Sequence, residues 1–194
     1  MGVIVKICGL REQADAELAA ELGADLLGFI HEPTSKRFVG EHFSPSWLAG
    51  IDVPKVAVFG PASTPPEPEF SFIQAHTWPD DWPDPRSRIA TYRVGSGLPL
   101  PDSSRAAYVL LDAFDPHHHG GSGKVIDWDV ASEIVASLSV PVLLAGGLTP
   151  DNVAAAIRKV RPAGVDVSSG IEKAPGVKDP ERLRAFIENA KSSV

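Results

Sequence analysis

Short apolar runs recur along this chain, separated by polar or helix-patterned stretches. Val3–Cys8, Asp25–Ile30, Lys55–Phe59, Phe70–Ala75, Ile89–Val94, Ala107–Asp112, Val140–Ala145 and Gly164–Ser168 make eight. Most are continuous in Val, Ile and Leu instead of alternating with polar residues, which is the pattern of parallel strands covered by helices. Four stretches carry the helical period. Glu12–Leu22 places Ala14, Leu18 and Leu22 on one face, with Gly23 as its stop. Asp129–Leu138 offers Val130, Ile134 and Leu138 for burial. Thr149 is expected to cap a helix with Pro150 at its first position, burying Val153, Ala156, Ile157 and Val160. Asp179-Pro180 repeats that start ahead of Leu183, Phe186, Ile187 and Ala190.

The rhythm breaks in the middle. Gly60–Glu69 holds four prolines, Thr77–Arg88 has prolines at 79, 83 and 85, and Gly95–Arg105 is short and rich in Gly and Pro. None suits a regular crossover helix, and each barely supplies the dozen residues that a parallel crossover needs. The prediction is an α/β fold, a (β/α)8 TIM barrel in a single domain over residues 1–194. Its helices after strands 3, 4 and 5 are shortened or missing, so one side should be well covered and the other thinly.

The last two strands end in turns suited to an anion. Val140–Ala145 runs into Gly146-Gly147-Leu148, and Gly164–Val167 runs into Ser168-Ser169-Gly170. Small residues, hydroxyls and bare N–H groups at those ends fit one phosphate held between them, where barrels of this kind commonly bind it. Gly146, Gly147, Ser168, Ser169 and Gly170 are the candidates.

Charge and composition narrow the partners. The net charge is −7 and the basic residues are scattered, which argues against a nucleic-acid partner. No apolar run is long enough for a membrane span, and Met1–Lys6 enters a strand pattern without a secretory signal. The single cysteine cannot form an internal disulfide, and a cytoplasmic location is expected. A monomer is favoured over a homodimer.

Alternation along the first strand puts Val3, Val5 and Ile7 on the helix side and Ile4, Lys6 and Cys8 inside, with Cys8 at the rim. Cys8 is either a small buried hydrophobe or, as a thiolate near cations, a proton acceptor. Asp127 follows the glycine-rich Gly120–Ile126 loop; it is either an N-cap or a carboxyl able to donate a proton. Arg37, in the loop after strand 2, is either solvated or a fork for a substrate carboxylate. Asp166 shares a face of strand 8 with Ser168 and is placed either to pair with buried Lys6 or to act directly at the substrate. Asp112, ending strand 6, is a reserve acid. His117-His118-His119 cannot all face one ion and reads as a loop, not a metal site.

Taken together, Lys6-Ile-Cys-Gly-Leu10, Ser35-Lys-Arg-Phe-Val39, Leu110-Leu-Asp112 and Gly120–Trp128 form an ordered set. It continues through Leu144–Val153, Val165–Glu172 and Gly176-Val-Lys-Asp179. The chain resembles the phosphoribosylanthranilate isomerases, over about the first 59 residues and from residue 107 onward. The resemblance implies the Amadori rearrangement of N-(5-phosphoribosyl)anthranilate to 1-(2-carboxyphenylamino)-1-deoxyribulose 5-phosphate, in tryptophan biosynthesis. It implies Cys8 as general base, Asp127 as general acid, Arg37 at the anthranilate carboxylate, and the Gly147 and Ser169-Gly170 turns at the phosphate. His76 is placed facing the site. No metal or organic cofactor is implied, since the substrate nitrogen serves as electron sink, and the expected partner is a small phosphorylated aminosugar.

The chain departs from that family at Lys36, where a proline is usual, and at Ala75 and Thr77 around His76. It departs again at Phe59-Gly60-Pro61, where Val-Asn is usual, and in the eroded middle helices. Two other readings stand beside it: a histidine-pathway aminoaldose isomerase, and a phosphosugar-binding barrel or interaction subunit without catalysis. Against the first, strand 1 ends in Cys8 instead of Asp, and no second phosphate turn follows strands 3 and 4.

Overall fold

The computed structural model describes residues 2–40, 43, 45–61, 69–79, 81–82, 86–113 and 125–193, with backbone only at 45 and 47. The His117–His119 run, most of the glycine-rich loop before Asp127 and most of the proline-rich loop before residue 69 lie outside the described residues. All eight expected strands form. They are β1 (Ile4–Ile7), β2 (Leu26–Ile30), β3 (Lys55–Val58), β4 (Phe72–Ala75), β5 (Ser87–Val94), β6 (Ala106–Ala113), β7 (Val142–Leu144) and β8 (Gly164–Val167). Each pairs in parallel with the next, and β1 pairs with β8 from Ile4↔Gly164 to Ile7↔Val167, closing the barrel.

Strand alternation sorts the apolar residues into two bodies. Ile4, Cys8, Leu26, Val56, Val58, Ile89, Leu110 and Leu143 meet inside the barrel. Val3, Val5, Ile7, Leu27, Phe29, Val109, Leu111, Val165 and Val167 face outward into the larger core, against the helices. Those helices are α1 (Gln13–Glu21), α2 (Trp128–Ser137), α3 (Val153–Val160) and α4 (Pro180–Lys191). A small antiparallel pair, β9 (Glu172–Ala174) and β10 (Val177–Lys178), stands between β8 and α4.

The α4 start is as expected: the Asp179 carboxylate accepts from the N–H groups of Glu181 and Arg182, with Pro180 at the first position. Three helix expectations need correction. α3 begins at Val153, after Asn152, because the Asn152 side chain accepts from Thr149 N–H and donates to Gly147 C=O, bracing a turn where Thr149 was expected to cap. On α1 the fully buried residues are Ala16 and Ala19, while Ala14 is exposed and Leu18 and Leu22 pack at the edge. On α2, Ala131 is buried and Val130 is 40% exposed. In both helices small alanines take the fully buried positions of the core.

Among the described residues no helix follows β3, β4 or β5, and β2 is followed by one 3-10 turn, Pro45–Leu48. Aromatic side chains cover this side instead. Trp82, 7% exposed, packs with Ile73, Ala75, Phe59 and Trp78 on the outer face of β4. Trp78 and Trp82 meet edge to face with centroids 5.5 Å apart, and Arg88 lies 4.9 Å over the Trp78 ring. Beside them Phe29, His31, Phe43, Phe59 and Phe70 form a second aromatic cluster. Few rings replace a helix face because each buries so much area.

Trp82→Ala should therefore cost about 3–5 kcal/mol in urea unfolding, whereas exposed Leu98→Ala stays within about 0.5 kcal/mol. A Trp82→Ala cost below about 1 kcal/mol would mean that the rings do not close this side.

Candidate active site

The mouth of the barrel, at the C-terminal ends of the strands, collects the polar interior. Lys6 and Asp166 are direct cross-strand partners on β1 and β8, and Lys6 Nζ lies 2.7 Å from Asp166 Oδ1 with both side chains buried. The ion pair expected from alternation is present. Cys8 sits one step further up β1, 5% exposed and unoxidised. The nearest point on β2 is Gly28: a Cβ there would lie 3.0 Å from Cys8 Sγ and 3.2 Å from Lys6 Nζ. A glycine at that position lets thiol and ammonium share one small space.

Charges around Cys8 oppose its burial. Burial pushes the thiol above its ordinary value; the Lys6 and Lys178 ammonium groups pull it back, and Asp166 adds to the rise. Lys6 is held above its ordinary value, because attraction to Asp166 and Cys8 outweighs the cost of burying its charge. The resting site thus sets the Lys6–Asp166 contact beside a thiol that burial favours in its neutral form.

Arg37 reaches the same corner from the loop after β2. Its Cδ would be 2.7 Å from a Cβ on Gly9, and Ser168 Oγ 2.8 Å from the same point, so Gly9, at φ +72°, admits both over the end of β1. Arg37 is not solvated. Its Nε and Nη2 donate to the two oxygens of Glu172 at 2.8 Å each, and that bond holds Arg37 above its ordinary value against burial, which pulls it down. Glu172 in turn accepts from Lys178 Nζ at 3.0 Å. Glu172 is depressed: burial opposes this, but the bonds from Arg37 and the charge of Lys178 outweigh it. Glu172 and Lys178 carry no role in the sequence reading. Their only signal was their position in matching motifs, since nothing in the composition marks a carboxylate as buried.

The turns after β7 and β8 meet directly. A Cβ on Gly170 would overlap the carbonyl oxygen of Leu148, so only glycine lets the turns touch. Gly146 and Gly147 take positive φ (+84° and +67°). Ser169–Ile171 forms a 3-10 turn, and the Ser168 hydroxyl is buried with no partner among the described residues. The five candidate residues are thus brought together on two touching turns.

Asp127 precedes α2 and is exposed; one carboxylate oxygen accepts from the N–H groups of Asp129 and Val130. The N-cap use is therefore real. Its segment is tied to the mouth, because Ile126 N–H donates to Gly146 C=O and the Gly146 Cβ position abuts Ile126. Across the barrel, His76 Nε2 lies 3.1 Å from Arg93 Nη2 at the ends of β4 and β5. Below them Gln74 and Thr91 face the interior, and Gln74 Oε1 and Thr91 Oγ1 are buried without a partner among the described residues. The sequence reading passed over Thr91. The described residues contain no group of three or more His, Cys, Asp or Glu able to hold a metal, and no helix among them is long and apolar enough to cross a membrane.

Comparison with known proteins agrees with this arrangement. Residues 93–189 match the family model for N-(5'-phosphoribosyl)anthranilate (PRA) isomerase. The chain is 40% identical over 212 residues to the N-(5'-phosphoribosyl)anthranilate isomerase of Trichlorobacter lovleyi, covering 98% of each chain. Its fold is similar to the crystal structure of phosphoribosyl anthranilate isomerase from Thermus thermophilus, with TM-score 0.77, 32% identity, and 98% and 99% of the two chains covered. It is also similar to a phosphoribosyl anthranilate isomerase in complex with reduced 1-(o-carboxyphenylamino)-1-deoxyribulose 5-phosphate, with TM-score 0.69, 32% identity and the same coverage. This chain belongs to the N-(5'-phosphoribosyl)anthranilate isomerase family.

Proposed function

We propose that this chain catalyses the Amadori rearrangement of N-(5-phosphoribosyl)anthranilate to 1-(2-carboxyphenylamino)-1-deoxyribulose 5-phosphate, a step of tryptophan biosynthesis. The observation that carries the reading is the placement of Cys8. The one thiol of the chain faces the barrel mouth beside the Lys6–Asp166 pair, on a chain 40% identical to a named isomerase over its length.

In this reading the substrate phosphate sits on the Gly146-Gly147 and Ser168-Ser169-Gly170 turns, whose contact fixes the spacing of their N–H groups. Arg37 takes the anthranilate carboxylate, and His76 and Asp166 face the sugar. Asp127 protonates the furanose ring oxygen, and the ring opens as the substrate nitrogen supplies its lone pair to form C=N⁺. The Cys8 thiolate then removes the C2 proton, acidified by that iminium, and the resulting enolamine tautomerises to the ketone. The nitrogen is the electron sink, so the chemistry needs neither metal nor organic cofactor. These groups stand on one barrel closed by its first and last strands, which supports reading residues 1–194 as a single catalytic domain. A lone thiol working as a base suits the reducing cytoplasm.

One observation favours a different donor. Asp112 at the end of β6 has its pKa raised to about 6, chiefly by burial and also by Asp166, against the Ala113 N–H bond and the charges of Arg93 and Lys6. A carboxyl with that value holds its proton closer to neutrality, which suits a general acid.

Two measurements separate the possibilities. With the fluorescent anthranilate substrate, Cys8→Ala and Asp127→Asn should each lose at least about two orders of magnitude in turnover, while Asp112→Asn stays within about tenfold. The reverse ranking of the two Asp variants makes Asp112 the donor, and folded wild type no faster than Cys8→Ala removes the activity. The pH profile follows from the signs. Base and acid must be thiolate and carboxylic acid together, so kcat/KM rises through the acid's pKa and stays level. It then falls only above that of Cys8, which burial holds beyond the ordinary 9.0. A falling limb that begins near pH 7 would show that Cys8 is not the base; a rising limb that breaks near pH 6 and shifts in Asp112→Asn would assign the acid to Asp112.

A further inference from the structure

The chemistry above leaves two buried charges unused. Glu172 is 8% exposed and Lys178 2%, and burying ionised groups is expensive unless each is well paired. All three Lys178 N–H donors are spent: on Glu172 at 3.0 Å, on Cys8 C=O at 2.7 Å and on Ser168 C=O at 3.2 Å. Its ammonium therefore ties β9 and β10 to the upper ends of β1 and β8. Glu172 spends both oxygens on Arg37 and Lys178.

The consequence falls on Arg37. A guanidinium offers five N–H donors on three nitrogens, and the side of the fork formed by Nε and Nη2 is occupied by Glu172. Nη1 has no partner among the described residues. A substrate carboxylate cannot take the Nε–Nη2 side without displacing a buried carboxylate that would then stand against Lys178 alone. It must approach the outer edge, Nη1 with the second Nη2 proton. We propose that Glu172 is a positioning residue for aryl-carboxylate recognition. It locks the Arg37 fork so that only its end-on edge meets the substrate, and Lys178 keys that lock to the backbone at Cys8. The inference rests on Arg37 as the carboxylate partner, and it adds which edge is offered and what fixes it.

Equilibrium binding tests this without needing turnover. The probes are reduced 1-(o-carboxyphenylamino)-1-deoxyribulose 5-phosphate and the same compound with a plain phenylamino group. Glu172→Gln should weaken the carboxylated probe at least about tenfold, the order of one well-oriented charged hydrogen bond. The plain probe should change less than about twofold. In an Arg37→Gln background, Glu172→Gln should add nothing further for the carboxylated probe. Equal weakening of both probes, an undiminished effect in the Arg37→Gln background, or no weakening at all would each overturn the proposal. If Glu172→Gln does not fold because Lys178 is left unpaired, Glu172→Gln/Lys178→Met removes both charges, and the same comparison of probes decides. A wild type that binds the carboxylated probe but does not turn substrate over sinks the activity reading and leaves this one standing.

Discussion

The buried Lys6–Asp166 pair is the constraint around which the rest of the mouth is arranged. The two residues are register partners where the first and last barrel strands meet, so the ion pair and the closure of the sheet form together. Two charges taken from water repay their desolvation only in good geometry, which here is a 2.7 Å contact between adjacent strands. A register slip of one residue between β1 and β8 would turn one partner outward and leave the other charge unpaired inside. The pair thereby favours a single closure. It also sets a fixed positive charge beside the only thiol of the chain.

Around that corner, neighbouring loops hold one another instead of relying on length or rigidity of their own. The turn after β8 is fitted to the turn after β7 through Gly170 and Leu148, and the segment before α2 is tied to the β7 turn through Ile126 and Gly146. The loop after β2 is bound to the β9–β10 pair through Arg37, Glu172 and Lys178. Each contact joins loops from different strands, so the mouth behaves as one unit. That explains how the barrel tolerates thin cover elsewhere. The β4–β5 side is sealed by aromatic rings, while the helices keep to the β6–β8 and β1 side, where the phosphate turns and Cys8 lie.

Much of this was legible in the chain. Strands buried on both faces read as continuous Val, Ile and Leu runs, so all eight were visible, and alternation on β1 placed Lys6 and Cys8 inside. The α3 and α4 faces followed because Val153, Ile157, Leu183 and Phe186 have no polar competitor on their side. What escaped depended on distances across the fold. Periodicity favours Leu and Val over Ala, so it chose the Leu18–Leu22 face of α1 and Val130 on α2, where the buried residues are Ala16, Ala19 and Ala131. The Thr149 cap lost to Asn152, whose amide could serve the turn on both sides. Glu172 and Lys178 were visible only as members of the matching motifs, because the partner that pairs with Glu172, Arg37, lies 135 residues away in sequence.

The central claim is that Cys8 is a thiol whose ionisation is opposed by burial and eased by the Lys6 charge beside it. Because the chain holds one cysteine, ultraviolet thiolate absorbance, taken as a difference against Cys8→Ala, reports this group alone. Wild type should show its thiolate only above the ordinary thiol value of 9.0, and Lys6→Met should move the midpoint higher still. A thiolate already formed at pH 7, or a midpoint unmoved or lowered in Lys6→Met, would contradict the account.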